Sequence, residues 1–227
     1  SLSTRDTTIG GTGKGSFRQT GGLHSVSSSL VVDGPTVEAM YRLEGGSLTT
    51  RTSFVGLGGV GRFEQTGGTH NSQEVLLTGD SSQYLMRGGT LQAAAAVSIG
   101  SGARYFHEAG TVTVPYLLVG RADGFGDYLM KSAGAPSTGV LNADAVQVGY
   151  RGLMVLDGAA AVTTQTLRVG DGDGHSQFFL NGGAVVATSM VVGGSADGSL
   201  SHGYDSSTQL VQLVIGEQAG VHGELSM

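Results

Sequence analysis

The stretch that decides the fold is Gly61-Arg-Phe-Glu-Gln-Thr-Gly-Gly-Thr-His-Asn-Ser-Gln-Glu-Val-Leu-Leu-Thr-Gly79. It begins at a glycine, passes through the aromatic residue Phe63 to a glycine pair, and continues through a second apolar run to another glycine. Short runs of alternating apolar and polar residues between glycine corners are typical of strands joined by turns. The stretch therefore predicts one small β unit.

The rest of the chain repeats this unit with variations. Glycines that close an aliphatic run recur at positions 10, 34, 56, 79, 100, 120, 149, 170, 193 and 216, so successive steps average about 23 residues, a solenoid-like period. A pair of small residues ending in glycine keeps the same spacing, and an aromatic or aliphatic residue stands five positions before its second member. The clearest markers are Phe17, Tyr41, Phe63, Tyr84 and Tyr105, with Gly22, Gly46, Gly68, Gly89 and Gly110, and the series continues through Leu129, Leu153 and Phe178.

The period decides between two repeat architectures, because a unit this short must stack on its neighbours to bury its apolar face. A propeller blade needs roughly 40 residues and four strands, about twice this period. A β-solenoid coil needs about 20 to 25 residues and pairs in parallel with the next coil at ~4.8 Å. We therefore predict an all-β, single-stranded parallel β-helix of about nine coils, roughly 40 to 45 Å long. Residues 1–227 should form one continuous domain, with a loop inserted near 135–139.

A second, longer repeat of two units is present in the first half of the chain. The units of Phe17 and Phe63 continue with a glutamine, a glycine pair and a histidine, His24 or His70, whereas the alternate units carry leucine or methionine in place of the glutamine. The two histidines are two coils apart, too far to share one metal ion. We expect them to be repeat-encoded residues at the surface or at corners.

Composition excludes several classes of function. Hydrophobic residues make up 39% and charged residues 13%, which predicts a packed core and not a disordered chain. The net charge of -6, without a run of lysine or arginine, argues against nucleic acid or an anionic membrane surface as partner. No apolar run is long enough for membrane insertion. The absence of cysteine excludes disulfides and thiol chemistry.

One short run offers a candidate metal site. In Gly170-Asp-Gly-Asp-Gly-His175, Asp171 and Asp173 could point at one calcium ion, because glycine corners expose carbonyl groups and alternate aspartates add carboxylates. The run lacks the bidentate glutamate of a calcium loop, and aspartate and glycine are also ordinary turn formers. The sequence leaves a calcium corner and a plain turn open, and it indicates no other cofactor.

Catalytic residues are not predicted. Glycoside hydrolysis needs two carboxyl groups about 5 to 9.5 Å apart, and the acidic residues here are scattered singly over different coils. His107 and Glu108 are adjacent, so on a strand their side chains should point in opposite directions. No nucleophile elbow or phosphate loop is present. The sequence therefore favours a protein that is not an enzyme.

The repeat residues resemble a known family. Units of the form Gly-x-(Phe/Tyr)-x-Gln-x-Gly-Gly-Thr alternate with Tyr-x-Leu-x-Gly-Gly and end in Leu-x-(Val/Leu)-Gly, as in the glycine-rich repeats of autotransporter-type and related bacterial cell-surface proteins. The resemblance is best over residues 13–120 and looser beyond. It implies a right-handed winding and display outside the cell, with the export signal upstream of this segment. The motif carries no catalytic residue to transfer.

These observations suggest two functions. The first is a structural or adhesive module of an exported surface protein, a stiff rod with possible contacts to surface glycans. Neither end shows a polar cap, so the chain is expected to be either part of a longer array or a subunit that associates head to tail. The alternative is a carbohydrate-binding or polysaccharide-cleaving β-helix, with a groove walled by the insertion near 135–139.

Overall fold

The computed structural model describes residues 1–36, 38–131 and 137–227. These residues form strands and no helix. None of them belongs to a helix long and apolar enough to cross a bilayer. In chain order the strands are β1 Leu2–Thr4, β2 Thr7–Gly10, β3 Ser16–Gln19, β4 Leu23–Asp33, β5 Ala39–Leu43, β6 Ser47–Val55, β7 Gly61–Gln65, β8 Thr69–Leu77, β9 Gln83–Ile99, β10 Arg104–Val119, β11 Asp127–Met130, β12 Val140–Gly149, β13 Leu153–Leu156, β14 Ala161–Asp171, β15 Ser176–Leu180, β16 Gly183–Val192, β17 Gly198–His202, β18 Ser206–Ile215 and β19 Gly223–Ser226.

The strands stack as parallel ladders, with each coil pairing to the next. Short strands pair with short strands, as in β3 with β5 and β5 with β7, and long strands pair with long strands, as in β4 with β6 and β6 with β8. The chain makes about ten coils of about 23 residues. The predicted all-β parallel solenoid is therefore confirmed, with about one more coil than expected.

Each coil contributes three ladders, because the long strands bend in the middle. The register of β4 against β6 shifts between Val26 and Ser29, and the first coil has two separate strands, β1 and β2, opposite the two halves of β4. We call the segment before the glycine pair face 1, the segment after it face 2, and the segment that ends at the next glycine face 3. The inward side chains of all three faces form one continuous core.

The aromatic markers form a column inside face 1. The rings of Tyr41 and Phe63 stack at 5.0 Å, those of Phe63 and Tyr84 at 4.6 Å, and those of Tyr84 and Tyr105 at 4.6 Å. Phe17 begins the column, 5.1 Å from Tyr41. The five aromatic markers therefore stack in one column over five coils, and offset stacks of this kind add stability beyond the area they bury.

The prediction for two later coils is wrong by one residue. Tyr105 pairs with Tyr128 and not with Leu129, and the next place in the column belongs to Met154 and not to Leu153. A one-residue change of register turns a side chain to the other side of a strand, so Leu129 and Leu153 point away from the column. Counting five positions back from the glycine pair does not give the right residue here, because the number of residues between the aromatic column and the glycine corner differs from coil to coil.

The second glycines of the pairs stack into a column at the corner between faces 1 and 2. All five predicted members, Gly22, Gly46, Gly68, Gly89 and Gly110, have positive φ. A Cβ atom on Gly68 would lie 2.6 Å from the carbonyl oxygen of Gly46 in the coil before it. Any side chain would therefore push two coils apart, which explains why this corner requires glycine.

The predicted insertion near 135–139 falls partly outside the described residues, since 132–136 are not among them. The part that is described closes against face 1. The hydroxyl of Ser137 donates to the carbonyl oxygen of His107 at 2.9 Å, and the amide of Thr138 donates to that of Glu108 at 3.0 Å. Ser137 is buried, so this part of the loop belongs to the packed rod.

Candidate functional site

Three histidines lie in the core, which corrects the expectation of surface or corner histidines. His24 and His70 occupy the inward column of face 2, beside Leu48 and Leu91 of neighbouring coils, and His70 has no exposed surface. His107 is buried at the end of face 1. A polar residue in such a column must satisfy its hydrogen bonds inside the rod.

The network around His70 joins three coils. Nε2 of Gln65 donates to the carbonyl oxygens of Gly68 and Thr90 at 3.2 and 3.0 Å, which leaves Oε1 to accept from the hydroxyl of Tyr84 at 2.7 Å. The oxygen of Tyr84 can then accept from Nδ1 of His70 at 3.1 Å. The other ring nitrogen, Nε2, lies 3.0 Å from the hydroxyl of Ser53, which in turn lies 2.8 Å from that of Thr50. Because the hydroxyl of Tyr84 donates to Gln65, Nδ1 of His70 carries a proton.

The same arrangement recurs at His24, where the partners are Tyr41 at 2.9 Å and, through it, Gln19 at 2.6 Å. A variant occurs at His107, whose Nδ1 lies 2.8 Å from the hydroxyl of Tyr128 and whose Nε2 lies 3.0 Å from the carbonyl oxygen of Gly110. The two-unit repeat of the sequence is thus the period of a buried polar network.

Burial governs the ionisation of this network. It lowers the pKa of His70 to about 3 and that of His107 to about 4, the latter against the opposing effect of the Gly110 carbonyl. Burial also raises the pKa of Tyr84 well above its ordinary value. Neutral, hydrogen-bonded and enclosed groups of this kind hold coils in register and do not meet a substrate. His107 and its neighbour Glu108 point in opposite directions, as predicted, since the carboxylate of Glu108 pairs with Arg87 on the outer surface.

A Tyr84→Phe variant tests how much the hydrogen-bond network around His70 contributes to stability. Phenylalanine fits this column, as Phe63 shows, but its ring leaves Gln65 and His70 without their shared hydroxyl. We expect a loss of about 1 to 3 kcal/mol in the free energy of unfolding, measured by urea denaturation at neutral pH. Tyr105→Phe is the matched control: its hydroxyl donates to the weak acceptor Sδ of Met86 at 3.3 Å, so its loss should stay under about 1 kcal/mol. Equal losses would contradict the assignment.

Charged side chains on the outside of face 1 pair along the rod. The carboxylate of Glu64, almost fully buried, lies 2.9 Å from the guanidinium groups of both Arg42 and Arg87, and Arg87 also reaches Glu108 at 3.0 Å. These arginines are neutralised by carboxylates of adjacent coils. They do not form a free basic surface.

The candidate calcium corner holds an ion pair. The carboxylate of Asp171 accepts from Nε and Nη2 of Arg168 at 2.7 and 3.3 Å and from the amide of Ser195 at 3.2 Å. Asp173 is exposed, and the described residues contain no group of three or more acidic or histidine side chains that could hold a metal ion. Because Arg168 already neutralises Asp171, this geometry favours the plain turn, and the calcium site stays a prediction without a ligand set.

A groove lies at the bend between faces 2 and 3 in the second half of the rod. Residues 113–115, 142–144, 163–165, 186–188 and 209–211 line it, three from each of five successive coils, and its volume is about 700 Å³. The middle residue of each triplet forms the floor, which includes Ala143, Thr164 and Ala187, and the outer two form the rims. We call this feature the corner groove.

No family model, curated protein or solved structure matches this chain. The resemblance to autotransporter-type repeats therefore depends on the repeat residues alone.

The corner groove is not where the sequence placed a groove. The insertion near 135–139 suggested a wall at the corner between faces 1 and 2, but Ser137, Thr138 and Gly139 are absent from the lining. The sequence did not predict a groove at the residues that line it. The sequence gives one weak indication of the groove, because Pro115 and Asp144 interrupt the alternation of their strands at the bend. It does not show that the bends of successive coils align.

Proposed function

We propose that this chain is a structural module, a stiff β-solenoid rod of an exported bacterial surface protein. The observation that carries the proposal is the continuity of the ladders: every coil pairs in parallel with the next, and the inward columns run through the whole rod. Bending such a rod would break backbone hydrogen bonds and open the stacked columns, so stiffness follows from the architecture. The resemblance of the repeats supports the extracellular setting.

The proposal includes association of rods end to end. The inward side chains Leu213 and Ile215 of β18 are 41% and 45% exposed, whereas Met190 and Val192, their partners one coil earlier, are fully buried. A parallel strand laid on β18 would cover them and pair its free backbone groups. A second copy of the chain could supply that strand from β1 and β2, whose inward residues include the exposed Leu2.

Electron microscopy and sedimentation of the purified chain test this proposal. We expect rods that join end to end as the concentration rises, without turnover of polysaccharides. Leu213→Lys should abolish the association, because it places a charge in the contact, whereas Gln212→Lys adds the same charge on the outer side and should leave it intact. A monomer at all concentrations would overturn the association, and polysaccharide turnover that one carboxylate substitution removes would overturn a purely structural role.

A further inference from the structure

We infer that the corner groove binds an extended, uncharged glycan chain. The groove crosses five coils, and four coil steps of ~4.8 Å give it a length of about 19 Å. Each coil adds one triplet, and each triplet has at least one polar rim side chain, so polar groups recur at regular intervals along the rod. A linear polymer of repeating units can meet such a surface in register, and the site adds a ligand to the structural role proposed above.

The rims carry the groups that recognise hydroxyl groups. Thr113, Thr163, Gln165 and Thr188 are exposed, and Asn142 is half-buried. Within the described residues their side chains have no hydrogen-bond partner, so they are free to donate to and accept from a ligand. Hydroxyl and amide side chains each offer both a donor and an acceptor, which suits a polyhydroxylated chain.

The floor suits the apolar face of a sugar ring. Ala143 is small and half-buried and lies between the rims, so a ring can approach the backbone closely there. Tyr116, the residue after Pro115, is 56% exposed next to the first coil of the groove but is not part of its lining. Pockets for small ligands commonly combine an apolar lining with a few placed polar groups.

The geometry disfavours an extended peptide. The groove runs along the rod, in the same direction as the hydrogen bonds between coils, and the first two residues of each triplet are paired in the ladders of β10, β12, β14, β16 and β18. A peptide lying in it could not add a strand to a sheet, which is the usual source of affinity for extended peptides.

The charge of the groove narrows the class of glycan. Asp144 is the single ionisable side chain in its lining, and no lysine or arginine faces it there. Anionic polysaccharides and nucleic acids would meet one negative charge and no cation, which is unfavourable. A single carboxylate also lacks the partner that glycoside hydrolysis requires, so the groove is a site of binding rather than cleavage.

Titration calorimetry tests the inference on the full chain, with cellohexaose, xylohexaose and mannohexaose as neutral probes and polygalacturonate as the anionic probe. We expect at least one neutral hexaose to bind, and the double variant Asn142→Ala/Gln165→Ala to weaken that binding about tenfold. Asn71→Ala is the matched control: Asn71 occupies the same outward column as Asn142, three coils earlier and outside the groove.

The possible outcomes separate clearly. Binding that falls in the double variant and not in Asn71→Ala supports the inference. Failure of all three neutral hexaoses to bind, binding unaffected by the double variant, or a preference for polygalacturonate would each overturn it. The rod and its end-to-end contact do not depend on these residues, so failure here leaves the structural proposal standing. Urea denaturation of each variant shows whether a loss of binding reflects a loss of fold.

Discussion

A Gly68→Ala variant is expected to lose roughly 2 to 5 kcal/mol of its free energy of unfolding, whereas Gly22→Ala should lose only about 1 kcal/mol. The two glycines have almost the same backbone conformation, with φ of +70° and +71°. A Cβ atom at Gly68 would press on the carbonyl oxygen of Gly46, but one at Gly22 would meet nothing within 4 Å. The difference between the variants therefore isolates the cost of separating two coils from the cost of the positive φ.

Urea denaturation of the two variants and the parent chain at neutral pH measures this difference. The comparison is sharp because both changes add one methyl group at the same corner of the repeat. Equal losses would contradict the interpretation, since they would show that backbone strain, common to both sites, accounts for the whole effect.

The glycine and aromatic columns could be predicted from the sequence because they depend on the repeat period alone. In a parallel solenoid each residue stacks on its equivalent one coil away, so a residue type that recurs in sequence must recur in space. Gly68 and Phe63 are positioned in this way, each stacked on its equivalent in the neighbouring coils. Leu129 and Leu153 show the limit, because near the insertion the period changes and a count of residues no longer gives the face.

The burial of the histidines could not be predicted from the residues of their own coil. His70 is a polar residue, and a polar residue alternating with others is ordinarily expected at the surface. Its burial becomes favourable only with the hydroxyl of Tyr84 from the next coil and the hydroxyl of Ser53 from the previous one. A signal was present, since each Gln and His pair, at Gln65 and at Gln19, is followed by a tyrosine in the next unit, but its meaning depends on the stacking.

The corner groove was missed for a different reason. It depends on the shape of the backbone bend between faces 2 and 3, where the register of β9 against β10 shifts between Thr113 and Tyr116. The insertion near 135–139 drew attention to the other corner. Position in a coil follows from periodicity, but the depth of a concave surface follows from side-chain size and bend angle over several coils.

The second large effect is expected on acidification, when the rod should lose about 5 kcal/mol of its free energy of unfolding between pH 7.5 and 4.5 through His70 and His107. Burial lowers their pKa values to about 3 and about 4, below the ordinary 6.5 of the unfolded chain. Below pH 6.5 the unfolded state therefore binds protons that the folded state refuses. The contribution of these histidines to stability is fully present above that pH. Below it, the free energy of unfolding falls by roughly 1.4 kcal/mol per pH unit for each histidine.

Urea denaturation at pH 7.5, 6.5, 5.5 and 4.5 checks this slope. The range stops above the ordinary pKa values of carboxyl groups. Asp127 acts in the opposite direction, because burial raises its pKa against the pull of Arg104. The slope of a variant relative to the parent, rather than the absolute curve, therefore carries the test.

His70→Leu should remove about half of the acid loss that His70 and His107 cause, because leucine already occupies this column at Leu48 and Leu91. His24, whose pKa burial also lowers, contributes equally to parent and variant. His175→Gln is the control, since His175 is exposed and its replacement should leave the slope unchanged. An unchanged slope in His70→Leu would show that the imidazole takes up its proton inside the rod, with Ser53 accepting from Nε2. The buried network would then accommodate a charged histidine, and the interpretation of these histidines as neutral structural residues would be wrong.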